Sequence, residues 1–244
     1  MPADALLSVR GISKRFGGLL ALSSIEFDVA QGDVFGIIGP NGAGKTTLFS
    51  CLVGALRPSS GEIWFRGERI DGLPNYAAVR RGIVRTHQIV RPFRAMSVTE
   101  NVDVAAHFGA GRRRGSDAAR RVREILEKTG LADEAASSAG VLTIGQLKRL
   151  EIARALATEP HVICLDEVMG GLNPAEIQGA MTLIRDIRDS GVTVLMIEHH
   201  VHAVVGVSNR ILVLNFGQKI AEGSPQAVLK DPAVIAAYLG DEAK

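Results

Sequence analysis

The chain has 244 residues, with 28 Lys and Arg against 26 Asp and Glu, a formal charge of +2. At roughly 100–200 residues per domain, this length implies a single domain over 1–244, long enough to bury a sizeable core without disulfide staples. With 46% apolar and 22% charged residues it reads as a globular protein, and near-neutral charge gives no electrostatic case for nucleic acid as a partner.

Cys51 and Cys164 lie in apolar surroundings and match no metal-ligand spacing, so both read as reduced core thiols. A membrane-spanning helix needs about 20 consecutive apolar residues, and stretches such as Val194–Ile197 stop far short of that. The start, Met1-Pro2-Ala3-Asp4, offers no basic region before an apolar run, so a cytoplasmic address is expected.

Along the chain, Leu6–Val9 and Ile25–Val29 read as strands, the second by alternation of Ile25, Phe27 and Val29 with Glu26 and Asp28. Val34–Ile38 is an apolar run suited to a strand buried on both faces. A helix is expected from Thr46 to about Leu56, stopped by Arg57-Pro58-Ser59-Ser60-Gly61, and then a strand over Glu62–Phe65. From about residue 91 to 157 helical patterns dominate, at Val98–Ala106, Ala118–Lys128 and Leu147–Leu156, with a loop at Gly109–Gly115. Strands return at Val162–Leu165, Val192–Ile197 and Ile211–Leu214, with a helix over Pro174–Asp189 between the first two. Strand–helix alternation on either side of a helical insert predicts an α/β fold with a mostly parallel sheet.

The strongest motif is Gly39-Pro40-Asn41-Gly42-Ala43-Gly44-Lys45-Thr46, which fits G-x-x-x-x-G-K-[ST]. Glycines let successive backbone N–H groups curl around phosphate oxygens at the positive end of the following helix. Lys45 supplies a point charge to the β and γ phosphates, and the Thr46 hydroxyl suits Mg²⁺. A phosphate loop of this kind works with a carboxylate at the end of a neighbouring buried strand. His161–Glu167 supplies one in Asp166, at the carboxyl end where ligands of open α/β sheets bind. Glu167, the next residue, points elsewhere and is suited to orient or deprotonate a hydrolytic water.

Leu142-Thr143-Ile144-Gly145-Gln146, followed by Leu147–Leu156, resembles the signature segment of ATP-binding-cassette (ABC) ATPases. The resemblance runs from Val9 to Gly240 with the motifs in the family's order. It implies a P-loop NTPase with a RecA-like core, an N-terminal antiparallel β subdomain and an inserted helical subdomain at about 91–157. It also implies ATP and Mg²⁺ as cofactors. The nucleotide would be bound by Gly39, Asn41, Gly42, Ala43, Gly44, Lys45, Thr46 and Thr47, and the metal by Thr46, Gln88 and Asp166. By the same resemblance, Phe16 stacks on adenine, Gln88 senses Mg²⁺ and contacts a transmembrane partner, and His199 contacts the γ-phosphate beside catalytic Glu167. Read alone, these three are a turn-packing aromatic, an exposed loop glutamine and a strand-end histidine.

Thr143, Gly145 and Gln146 would face the nucleotide of a second ABC ATPase subunit, so a dimer is implied. Transmembrane permease subunits and, indirectly, a periplasmic or extracellular solute-binding protein complete the expected partners, with the chain on the cytoplasmic side of the inner membrane. Departures from the family pattern are Thr143 for Ser, Ile144 for Gly, Val168 for Pro, Asn173 for Asp and His200 for Asp. They bear on turnover rate more than on the reaction. Arg15–Ala21, Gly171-Leu172-Asn173-Pro174 and the tail Asp231–Gly240 resemble the branched-chain amino acid uptake branch. The alternatives are ABC systems for urea, amides or aromatic acids, lipid or lipopolysaccharide exporters, and soluble ABC ATPases. Arg112-Arg113-Arg114 with Arg120-Arg121 read as a solvated face, since no aromatics interleave with them.

Overall fold

The computed structural model describes residues 5–86, 91–110 and 115–239. In chain order, the first half contains β1 (Ala5–Phe16), β2 (Leu19–Ala30), β3 (Val34–Ile38), α1 (Lys45–Leu52), β4 (Ser60–Phe65), β5 (Glu68–Arg69), α2 (Asn75–Arg80) and β6 (Ile83–Arg85). Three helices follow, α3 (Val98–Phe108), α4 (Ser116–Lys128) and α5 (Ile144–Ala157). The last part contains β7 (Val162–Asp166), α6 (Pro174–Asp189), β8 (Thr193–Ile197), α7 (Val201–Val207), β9 (Arg210–Asn215), β10 (Gln218–Gly223), α8 (Pro225–Leu229) and α9 (Pro232–Leu239).

The strands form two sheets. One is antiparallel, in the order β2-β1-β4-β5, and the other runs β10-β9-β3-β8-β7-β6. Every neighbouring pair from β9 to β6 is parallel, and β10 closes the other edge antiparallel to β9. Strands β3, β7 and β8 are buried at every position, because both faces of the parallel sheet are covered.

Alternation along those strands sends side chains into two separate cores. Phe35, Ile37, Cys164 and Leu195 join Leu48 and Phe49 of α1 and Val9, Ile25 and Ile63 of the antiparallel sheet. Val34, Ile38, Ile163 and Met196 instead meet Val102 of α3, Leu150 of α5, Ile184 of α6 and Val204 of α7. The stacked rings of Phe27 and Phe35, 5.2 Å apart, join the two sheets across the first core. Cys51 and Cys164 are buried and unpaired, and burial pushes their thiols up to about 11 and about 12.

The structure differs from the sequence expectation at several boundaries. Helix α1 stops at Leu52, not Leu56, because the chain turns through Gly54 at φ 69°, where a Cβ would stand 2.3 Å from the Leu73 carbonyl oxygen. Strand β1 continues past Val9 to Phe16 through β-bulges that interrupt the alternation. None of the described helices is long and apolar enough to cross a membrane.

Candidate functional site

Three adjacent strands, in the order β3-β8-β7, end at one level of the sheet: Ile37 lies opposite Ile197, and Ile197 opposite Asp166. The segments leaving their carboxyl ends carry the phosphate loop, the Asp166-Glu167 pair and Glu198-His199. The loop fits tightly. A Cβ on Gly39, at φ 151°, would sit 2.0 Å from the Leu214 carbonyl oxygen, and one on Gly44, at φ 100°, 2.7 Å from that of Ala21. Glycine is required at both positions for the loop to nest between β9 and β2.

Helix α1 has no side-chain cap and no acid in its first turn, so its first N–H groups and the positive end of its dipole face the cleft. Lys45 is buried and donates from Nζ to the carbonyl oxygens of Gly39 (2.6 Å) and Pro40 (2.9 Å). Burial draws its ammonium below the ordinary lysine value, while Glu167 and Asp166 act in the opposite direction. The cleft, about 480 Å³, is lined by Asn41–Thr47 together with Glu167 and His199, and by Phe16, Leu19–Ala21, Phe216 and Gly217 at its apolar end.

The two acids of the pair are used differently. Asp166 is fully buried; its Oδ2 accepts from Arg85 Nη2 at 2.5 Å, and its backbone N–H donates to Thr86 Oγ1. Asp166 Oδ1 is buried with no hydrogen-bond partner among the described residues. Glu167 has left-handed backbone (φ 51°), an uncommon state for a non-glycine residue and one that marks functional sites. That backbone turns Glu167 out of the strand, and its Oε1 lies 2.8 Å from His199 Nε2. An ionised carboxylate would accept this bond, with the proton on Nε2. Lys148 Nζ donates to the Glu167 carbonyl oxygen, and Glu167 N–H donates to that of Ile197, so both adjoining elements hold the turn.

The donor set fits Mg²⁺. The orphaned, buried Asp166 Oδ1 and the exposed hydroxyl of Thr46 are hard oxygen donors. Among the described residues no group of three or more His, Cys, Asp or Glu side chains could hold a metal by itself.

Thr143, Gly145 and Gln146 stand apart from this cleft, at the start of α5. Thr143 Oγ1 accepts from Gln146 N–H and Gln146 Oε1 accepts from Thr143 N–H, a reciprocal capping box. Gln146 Nε2 also donates to Glu134 Oε1 at 2.6 Å. Gly145 is buried against α6, where a Cβ would come 2.6 Å from Glu176 Oε1. Asn173 and Glu176 form the same kind of box at the start of α6. Next to them Val141 and Ile144 are exposed. Gln88 and Arg112–Arg114 lie outside the described residues.

Three participants escaped the sequence reading. Arg85 is one, on a strand too short to show periodicity. Glu198 is another: it is buried, pushed up to about 7 chiefly by burial, and accepts from the Met169 N–H at 2.8 Å. Phe216 is the third. Its only sequence signal is an aromatic between Asn215 and Gly217, where a polar turn residue is the norm.

Comparison with known proteins agrees with this arrangement. The chain matches the ABC transporter family model over residues 22–170, and the model for branched-chain amino acid ATP-binding cassette transporters over 218–244. It is 42% identical to the high-affinity branched-chain amino acid transport ATP-binding protein LivG of Escherichia coli K12, covering 98% of this chain and 99% of LivG. Identity to the corresponding BraF of Pseudomonas aeruginosa is 43%, over 97% of this chain and 98% of BraF. The crystal structure of the ADP conformation of MJ1267, an ATP-binding cassette of an ABC transporter, superposes with a TM-score of 0.88 at 32% identity, covering 97% of this chain and 99% of that one. With the phosphate loop, the strand-end acids and the capped α5 all in one fold, the chain belongs to the ABC transporter family, as an ATP-hydrolysing cassette.

Proposed function

We propose that this chain is the ATPase subunit energising an importer of branched-chain or closely related amino acids. The observation that carries the ATPase chemistry is the convergence of Lys45, Glu167 and His199 on one cleft, with buried Asp166 beside it. The cargo assignment rests on the near full-length similarity to LivG and BraF.

In this reading the α1 amides and Lys45 hold the β and γ phosphates and neutralise their charge. Thr46 and Asp166, with Gln88, would hold Mg²⁺, which would supply positive charge to the phosphates when bound. Glu167 accepts the proton of the water that attacks the γ-phosphorus in line as ADP leaves. His199, donating from Nε2, fixes the Glu167 carboxylate and meets the γ-phosphate once ATP is present. Asn41–Gly44 and Thr47 line the phosphates, Gly39 shapes the loop, and Phe16 stacks on the base.

The α5 start, with Thr143, Gly145 and Gln146, sits outside the cleft, so it serves the site of a second cassette across a dimer interface. Solved dimeric cassettes such as MJ0796 have the same fold (TM-score 0.80, 24% identity). Permease subunits, with a solute-binding protein on the far side, would be engaged from the cytoplasmic face of the membrane. A groove of about 350 Å³ lined by Arg85, Thr86, Arg91, Glu151 and Arg154 is the surface assigned to the permease.

Purification from membranes with the associated chains, followed by identification of the solute-binding protein and its ligand, tests the cargo. A branched-chain amino acid supports the proposal. Recovery with an export complex overturns it.

A further inference from the structure

Among the described residues, five other than glycine have positive φ: Ser24, Arg66, Glu159, Glu167 and Phe216. Only Glu167 and Phe216 line the cleft that holds the phosphate loop. The strain at Glu167 is accounted for by its place next to the reacting phosphate. Phe216 has no such account.

It is the first central residue of the two-residue turn joining β9 to β10, where Asn215 pairs with Gln218 and Gly217 follows at φ 74°. A two-residue turn with positive φ at both central positions selects Asn, Asp or Gly at the first, because a Cβ-bearing bulky residue is strained there. The ring recovers nothing by burial within the chain: at 83% exposure it is the most exposed large apolar side chain among the described residues. A local rule broken without compensation inside the fold marks a functional position.

The turn is firmly placed. Gly217 N–H donates to the Ala43 carbonyl oxygen of the phosphate loop at 3.1 Å, and Ser23 N–H donates to that of Gly217 at 2.8 Å. The backbone that carries the ring is therefore held at a set position relative to the loop, and Phe216 lines the same cleft as Phe16. A ligand with phosphates in the loop and a flat ring system at that end completes this geometry.

We propose that Phe216 is a second aromatic contact for the nucleotide base, alongside Phe16, giving the site a preference for purine over pyrimidine triphosphates. This rests on the nucleotide reading of the cleft. The larger purine offers more surface to the exposed ring, so base stacking, rather than a hydrogen-bond code, sets the preference.

The test is equilibrium binding without Mg²⁺ of ATP, CTP and inorganic tripolyphosphate to the full chain and to Phe216→Asn, Phe216→Trp and Phe16→Ala. Asn suits the turn, so Phe216→Asn is expected to fold with a raised melting temperature. It should lose ATP affinity by about tenfold, narrow the gap between ATP and CTP, and bind tripolyphosphate as before. Phe216→Trp should keep ATP affinity, with an added indole emission that ATP quenches and tripolyphosphate does not. Unchanged ATP affinity in Phe216→Asn, with Phe16→Ala weakened, overturns the inference alone. Equal losses for ATP and tripolyphosphate also overturn it, since the turn would then only shape the phosphate loop. A native chain that binds no ATP overturns both the inference and the nucleotide reading beneath it.

Discussion

Arg85 and Asp166 form a buried ion pair, 2.5 Å from Nη2 to Oδ2, at the carboxyl end of the parallel sheet. The other terminal nitrogen of Arg85 donates to Ser50 Oγ, and that hydroxyl donates to the Thr46 carbonyl oxygen. One guanidinium thus joins the strand end bearing Asp166 to the helix bearing Thr46. Removing one partner of a buried pair leaves an uncompensated charge, typically costing about 3–5 kcal/mol. Arg85→Ala is expected to lower unfolding stability by that order in urea titration, and Arg85→Lys by less. A loss of a few tenths of a kcal/mol in Arg85→Ala would show that the pair does not hold the two elements together.

Glu198 gives a pH dependence of defined sign. Its folded value of about 7 lies above the ordinary glutamate range, so between about pH 4.5 and 7 the folded state binds more protons than the unfolded chain. Stability contributed by this group is therefore present at the acid end and lost as pH rises through 7. Glu198→Gln keeps a carbonyl acceptor for the Met169 N–H and removes the titration. The variant should melt above the native chain at pH 8, with the gap closing toward pH 5. A gap that does not change with pH would contradict the assignment.

The Thr143–Gln146 capping box predicts a stability effect separable from catalysis. Thr143→Ala should cost about 1 kcal/mol, the usual worth of an N-cap side chain, and Thr143→Ser should restore most of it. Amide hydrogen exchange over Ile144–Leu147 reports whether the helix start frays in the alanine variant, as this account requires.

Thr46 is exposed at the start of α1, and in the proposed site its hydroxyl acts toward the metal and phosphates. Thr46→Ala should leave the melting temperature of the free chain unchanged and weaken the Mg²⁺-dependent part of nucleotide affinity. Equal affinity with and without Mg²⁺ in both native and variant chains would remove Thr46 from the metal site.

The phosphate loop and the Asp166-Glu167 pair were legible in the sequence because their chemistry is local: consecutive glycines, a lysine, and acids ending an apolar run. Strands β3, β7 and β8 were legible for the same reason, being unbroken apolar segments. Arg85, Glu198 and Phe216 were not. Arg85 and Glu198 act through partners far away in sequence, Asp166 and Met169, which only the strand order brings close. Phe216 is defined by a backbone angle and by exposure, neither of which a string of residues displays. The α1 end differs from the sequence expectation because a tertiary contact at Gly54, not a local stop signal, turns the chain there.

In the proposed mechanism Glu167, held by His199, is the base for ATP hydrolysis in a cassette that works as a dimer. Steady-state phosphate release and size-exclusion chromatography with ATP, on native chain and Glu167→Gln, test it most directly. The variant is expected to lose hydrolysis, by about 100-fold or more for a general base, while eluting as a dimer that retains ATP. Phosphate release at the native rate, or a variant that stays monomeric with ATP, would contradict it.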